Sequence, residues 1–187
     1  MLGVNMDEHP KKSLNKSLSK IQIERLGELK SSQTEGDRRE AIALIEQFLD
    51  SDPLNALHWY DKACCHDFLG EEELAEPSYR KVYEMGWKNL PFHEQGRFFI
   101  GFGSTLRNNG KIQDSINILE EGCRLFSEFP ALKIFLALSF YSQSNYQRAA
   151  EILLTSSVDV SAIGLGGYER AIRFYSENLN GPTGEVL

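Results

Sequence analysis

The chain lacks most of what would tie it together covalently, carry it into a membrane or do chemistry. It has three cysteines, Cys64, Cys65 and Cys123. An odd count with an adjacent pair argues against a disulfide framework and for a reducing compartment. No run approaches the roughly 18 consecutive apolar residues of a membrane helix, and the N-terminus has no apolar core of signal-peptide type. A cytoplasmic protein is therefore expected, without membrane contact. Positive charge is scarce, with 20 Lys and Arg against 27 Asp and Glu, a net charge of -7. Sequence-independent nucleic-acid binding depends on neutralising phosphates, so this balance disfavours it. Only six prolines interrupt the chain, and no segment keeps the alternation of a strand, which leaves an all-α chain.

What is present is helical periodicity. Residues 1–20 are polar, with Lys11, Lys12, Lys16 and Lys20 and no acid after Glu8; such composition reads as disordered. A weak helical pattern follows over 21–30. It breaks at SSQTEGD, where Asp37 is a candidate N-cap. Over 38–50, Ala41, Leu44, Ile45, Phe48 and Leu49 make one apolar face. Further helices are expected over 54–68, 71–85, 92–108, 112–126, 131–143, 146–156 and 168–179. In the second of these, Leu74, Ala75, Tyr79 and Val82 should point inward. VDVSAIGLGG (158–167) reads as a linker.

These helices repeat. Turn residues recur as Gly36, Gly70 and Gly110, with Asn145 in the fourth place. Five residues on stand Ala41, Ala75, Ser115 and Ala150, and four further Ile45, Tyr79, Leu119 and Leu154. A helix–turn–helix period near 34 residues marks a solenoid whose units must stack to bury their apolar sides. The first unit keeps only its second half.

On these marks the chain resembles the tetratricopeptide repeat family. Residues 56–89 supply Trp59, Ala63, Gly70, Ala75 and Tyr79, with His66 and Trp87 replacing two family positions. The runs GFGSTLRNNGKIQDSINILEEG, FPALKIFLALSFYSQSNYQRAAEILL and YERAIRFYSENL are similar to tetratricopeptide repeat group 5 of bacteria. The resemblance implies a tetratricopeptide-repeat-like α-solenoid with a C-terminal capping helix. Its divisions would be a tail over 1–36, a half unit over 37–53, units over 54–89, 90–129 and 130–157, a linker and cap over 158–179, and a tail over 180–187.

The resemblance also implies a non-catalytic protein-interaction module, with no cofactor and no metal. It would bind a peptide or partner protein in a concave groove lined by the first helix of each unit, or self-associate as a homodimer. Family groove positions fall on Tyr60 and Asp67 in one unit, Arg97, Ile100, Ser104 and Arg107 in the next, and Phe135 and Ser139 in the third. Arginine matches planar carboxylates bidentately, so an acidic or C-terminal carboxylate ligand gripped by Arg97 and Arg107 is expected. The family's pattern for chaperone C-termini is absent: its places hold Tyr60, Cys64, Gly101, Leu132 and Leu136.

Other readings rank lower. One is a regulatory or auxiliary subunit of an enzyme complex. A small Cys/His hydrolase ranks below it, because no Ser or Cys stands at motif spacing from His58, His66 or His93. Cys64-Cys65-His66-Asp67 resembles a metal run only in letters. Adjacent helical residues point about 100° apart and cannot converge on one ion.

Overall fold

The structure, a computed structural model, describes residues 8–163 and 167–168. Within them are eight α-helices and a short 3-10 turn. The helices are α1 (Glu8–Ser31), α2 (Glu35–Ser51), α3 (Ala56–Phe68), α4 (Glu72–Met85), α5 (Phe92–Asn108), α6 (Ile112–Leu125), α7 (Ala131–Ser142) and α8 (Tyr146–Ile163). They pack as sequential antiparallel pairs, and each pair leans on the next.

The first pair departs from expectation. The N-terminal segment is described as a helix from Glu8, not as a largely disordered tail, so the first unit is a whole pair. Leu26 and Leu29 hold α1 in place: both are buried with Ala41, Ile45 and Leu49 of α2 and Cys65 of α3. The cap of α2 also moves. Thr34 is the N-cap, accepting the Asp37 N–H at 3.2 Å. Asp37 answers by accepting the Thr34 hydroxyl at 2.7 Å, which makes a reciprocal capping pair. At α3, Asn55 accepts the His58 N–H at 3.2 Å and sets the start at Ala56.

Three inter-helix turns share one closure. After α3, Gly70 lies at φ 69, with Glu71 N–H donating to His66 O at 3.0 Å and Gly70 N–H to Asp67 O at 3.1 Å. Gly110 repeats this after α5, with Lys111 N–H to Leu106 O at 2.8 Å. The third such residue is Ser144 at φ 64, not Asn145, with Asn145 N–H to Phe140 O at 2.9 Å. These are Schellman motifs, which need a left-handed residue just past the helix. The register of the last pair therefore shifts by one: Ala149 is buried, whereas Ala150 is exposed. Gly36 is not a turn residue at all; it lies in the first turn of α2.

The core runs along the first helices of the pairs. α5 is its axis, touching α3, α4, α6 and α7, with Phe98, Phe99, Ile100, Phe102 and Leu106 at most 2% exposed. Tyr79 packs against Phe98 and Phe102 at ring separations of 6.0 and 5.8 Å. On α4 the buried stripe is Ala75, Ser78, Tyr79 and Val82. Leu74, expected inward, is 57% exposed, because it precedes the stripe by one residue and so lies about 100° off it. α5 and α6 close tightly at Gly103, where a Cβ would meet Leu119 Cγ at 2.5 Å. The small residue of that pair, Ser115, is fully buried and donates to Gly103 O at 2.6 Å. Trp87, in the turn Trp87–Asn89, stands edge-on to Phe99 and Phe126.

At the C-terminal end, α8 continues to Ile163 through much of the expected linker. The expected capping helix over 168–179 falls outside the described residues apart from Tyr168, and so does the tail over 180–187.

Candidate functional site

The expected groove residues do not form one open strip. Ile100 and Ser139 are core: they are 1% and 0% exposed, and the Ser139 hydroxyl lies 2.8 Å from that of Ser115. Ser104 is half-buried and donates to Gly101 O of its own helix at 3.0 Å. Arg107 is buried, donating to Asn108 Oδ1 at 3.1 Å. Ten residues separate it from Arg97, about 15 Å along a helix, so one carboxylate cannot bridge the two. Asp67 turns into the protein, where its carboxylate accepts the Tyr79 hydroxyl at 2.6 Å and the Thr105 hydroxyl at 2.8 Å. Burial pushes this carboxyl up to about 7, against the pull of both hydrogen bonds.

Tyr60, Arg97 and Phe135 do converge on one region. Its centre is a cavity of about 310 Å³ between α1, α2, α3 and α5. Three cations line it: Lys30, Arg38 and Arg97. Two acids stand among them, each already engaged. Asp61, 4% exposed, pairs with Lys30 at 2.5 Å. Burial raises its pKa, with Lys30 opposing. Glu94 accepts the Tyr60 hydroxyl at 3.1 Å. Arg38 lays its guanidinium over the Phe68 ring at 4.4 Å, and its Nε is buried with no hydrogen-bond partner among the described residues. The cavity's last wall is Tyr168, which also touches Phe129 and Phe135. Phe135 itself is buried, at 3% exposure.

Lys30, Arg38, Asp61, Glu94 and Tyr168 were absent from the sequence-derived groove. Lys30 fell inside the segment read as a tail. Arg38 belongs to a second helix, and Tyr168 lies beyond the last pair, so groove positions counted along first helices pass over both. The one available signal was Lys30 closing a weak helical pattern that carries Leu26 and Leu29.

Burial raises the thiol pKa of Cys64 and Cys65, which line the cavity, and pushes that of Cys123 on α6 up to about 11. A nucleophilic cysteine needs the opposite shift. His66 is committed to Glu71 at 2.8 Å and His58 stacks on Phe48. Among the described residues no group of three or more His, Cys, Asp and Glu side chains could hold a metal ion, and no helix is long and apolar enough to cross a membrane.

Antiparallel helix pairs, stacked in sequence and joined by left-handed turns, define an α-helical repeat solenoid. The chain belongs to the tetratricopeptide repeat family: the family profile described as "Tetratrico peptide repeat", group 5, matches residues 56–179. Such repeats are generally protein–protein interaction modules and typically non-catalytic. Among solved structures the chain is similar to that described as "Crystal structure of MamA", with a TM-score of 0.59 and 18% identity over 78% of this chain and 85% of that one. At that identity the likeness shows the fold. No curated protein matches the chain.

Proposed function

We propose that this protein is a non-catalytic interaction module that receives a peptide or partner protein on its concave face, and that an acidic side chain or C-terminal carboxylate of the partner enters the cavity beside Arg97. The observation that supports this is the imbalance at the cavity. Lys30, Arg38 and Arg97 line it against two acids, Asp61, which pairs with Lys30, and Glu94, which accepts the neutral Tyr60 hydroxyl, so the lining carries one cation in excess. An anion entering there meets guanidinium groups suited to bidentate carboxylate contact. A volume of about 310 Å³ takes a carboxylate and a few neighbouring atoms. The partner can be a second copy of the chain, or an enzyme for which this protein is an auxiliary subunit, through the same contact.

The test is a binding titration with short peptides that differ only in charge: free versus amidated C-terminus, and Glu versus Gln. Binding should favour the anionic member by about tenfold, weaken with added salt, and lose that preference in Arg97→Ala. Equal binding of charged and neutral peptides overturns the reading.

A further inference from the structure

Tyr168 is an unusual wall for a cavity. It lies outside the helix pairs and follows Gly167 at φ 87, after a run, Gly164-Leu165-Gly166-Gly167, with three glycines in four positions. Yet its ring is held on three sides by separate parts of the solenoid. Phe129, between α6 and α7, meets it edge-on at 5.8 Å and 63°. Phe135 of α7 does so at 5.8 Å and 77°. The Arg97 guanidinium of α5 stands 5.6 Å from the ring centroid. Two edge-on rings and a cation over the face form a cradle selective for an aromatic side chain. The cradle shares Arg97 and Tyr168 with the cationic cavity, so aromatic and anionic subsites adjoin. The residue following Tyr168 in the chain is Glu169.

We infer that Tyr168 is an internal occupant of the partner site, and that the partner docks by replacing it with an aromatic side chain of its own followed by a carboxylate. The inference rests on the concave-face reading and specifies its ligand: an aromatic–acidic motif, presented as peptide. Because it belongs to the same chain, Tyr168 competes for the cradle as an intramolecular ligand. It therefore screens out weak ligands and yields to a better-matched one. Leucine-anchored or purely acidic peptides gain little from its departure, because they cannot use the ring contacts or stack on Arg97.

The experiment titrates three probes, Ac-Gly-Tyr-Glu-Gly-NH2, Ac-Gly-Ala-Glu-Gly-NH2 and Ac-Gly-Tyr-Gln-Gly-NH2, into the full chain and into Tyr168→Ala and Tyr168→Leu, with circular dichroism as the folding check. Tyr168→Ala should bind the Tyr-Glu peptide about fivefold to tenfold more tightly than the parent protein does, while the Ala-Glu peptide gains less than about twofold. Tyr168→Leu guards against loss of fold, since it fills the cradle without a ring face; it should give an intermediate gain. In the parent protein, a ring-labelled tyrosine spectrum should show the Tyr168 resonance moving to an exposed position as the Tyr-Glu peptide saturates. Equal affinity of parent and variants for the Tyr-Glu peptide, or a gain shared by the Ala-Glu peptide, overturns the inference. If the variants match the parent while binding still depends on Glu and Arg97, the carboxylate reading stands alone. If the Tyr168 variants gain for tyrosine without regard to Glu, the cradle stands and the carboxylate reading falls. No binding of any probe to any of the proteins overturns both.

Discussion

Asp67 is a carboxyl group placed where water cannot serve it. It sits on α3, and its two oxygens are met by hydroxyls from α4 and α5, so three helices share one polar tie. Burial raises its pKa to about 7, and neither hydrogen bond brings it back to the ordinary carboxylate range near 4. The sign follows from linkage. Between pH 4 and 7 the folded protein holds a proton that the unfolded chain has lost, so stability falls as pH rises through this window and levels off above it. Asp67→Asn keeps an acceptor for Tyr79 and cannot ionise, while Thr105 has a second acceptor in Gly101 O at 2.8 Å. The variant should flatten the loss and be more stable than the parent at pH 8 by about 1–2 kcal/mol, with less advantage at pH 5. Urea denaturation at the two pH values measures this; a stability difference independent of pH removes the buried ionisation. Family groove positions put Asp67 on the concave side of α3, whereas its carboxylate bonds inward to Tyr79 and Thr105. Such positions could not tell groove from core, because whether neighbouring helices close over a residue depends on their packing and not on its own helix.

The turn between α7 and α8 shows what an element demands of one residue. Ser144 takes the left-handed conformation that Gly70 and Gly110 take in the equivalent turns. A side chain there costs on the order of 1 kcal/mol, offset in part by the greater flexibility of glycine in the unfolded chain. Ser144→Gly should therefore stabilise the protein by about 0.5–1 kcal/mol. Asn145 has a different duty: its Oδ1 accepts the Arg148 N–H at 3.2 Å, capping α8. Asn145→Ala should cost about 1 kcal/mol. Thermal unfolding of the two variants distinguishes the roles, and a stabilising Asn145→Gly would reverse them. The same pair explains why this turn was read one residue late. Serine and asparagine are both turn residues, and without a glycine only the hydrogen bonds decide which is left-handed. Where glycine or proline punctuates, at Gly70, Gly110, Pro91 and Pro130, helix ends were legible to within a residue or two. α1 was not, because few of its residues are apolar, and the two that anchor it, Leu26 and Leu29, make sense only once α2 and α3 are beside them.

For the whole molecule, the arrangement of pairs predicts how stability is distributed. α5 meets four other helices and is lined with fully buried aromatics, whereas α1 is held by a small cluster and by the Lys30–Asp61 pair. Solenoid units draw most of their stability from nearest neighbours, so a change at one end should fade toward the other. Replacing Lys30 by Met keeps much of its packing but leaves Asp61, 4% exposed, without its cation. With Lys30 itself about a third exposed, solvent tempers the loss, and a cost of roughly 1–3 kcal/mol is expected. Adding Asp61→Asn should restore part of it, since the buried charge is then gone. Hydrogen exchange locates the effect: amides of α1, α2 and α3 should lose protection in Lys30→Met, while those of α6 and α7 keep theirs. An equal loss along the whole chain would mean that the pairs unfold as one cooperative block. In that case the cavity at the α1 end could not loosen to admit a ligand without loosening the α5–α7 centre, and Tyr168, which rests on both, would couple ligand entry to global stability rather than to the local surface.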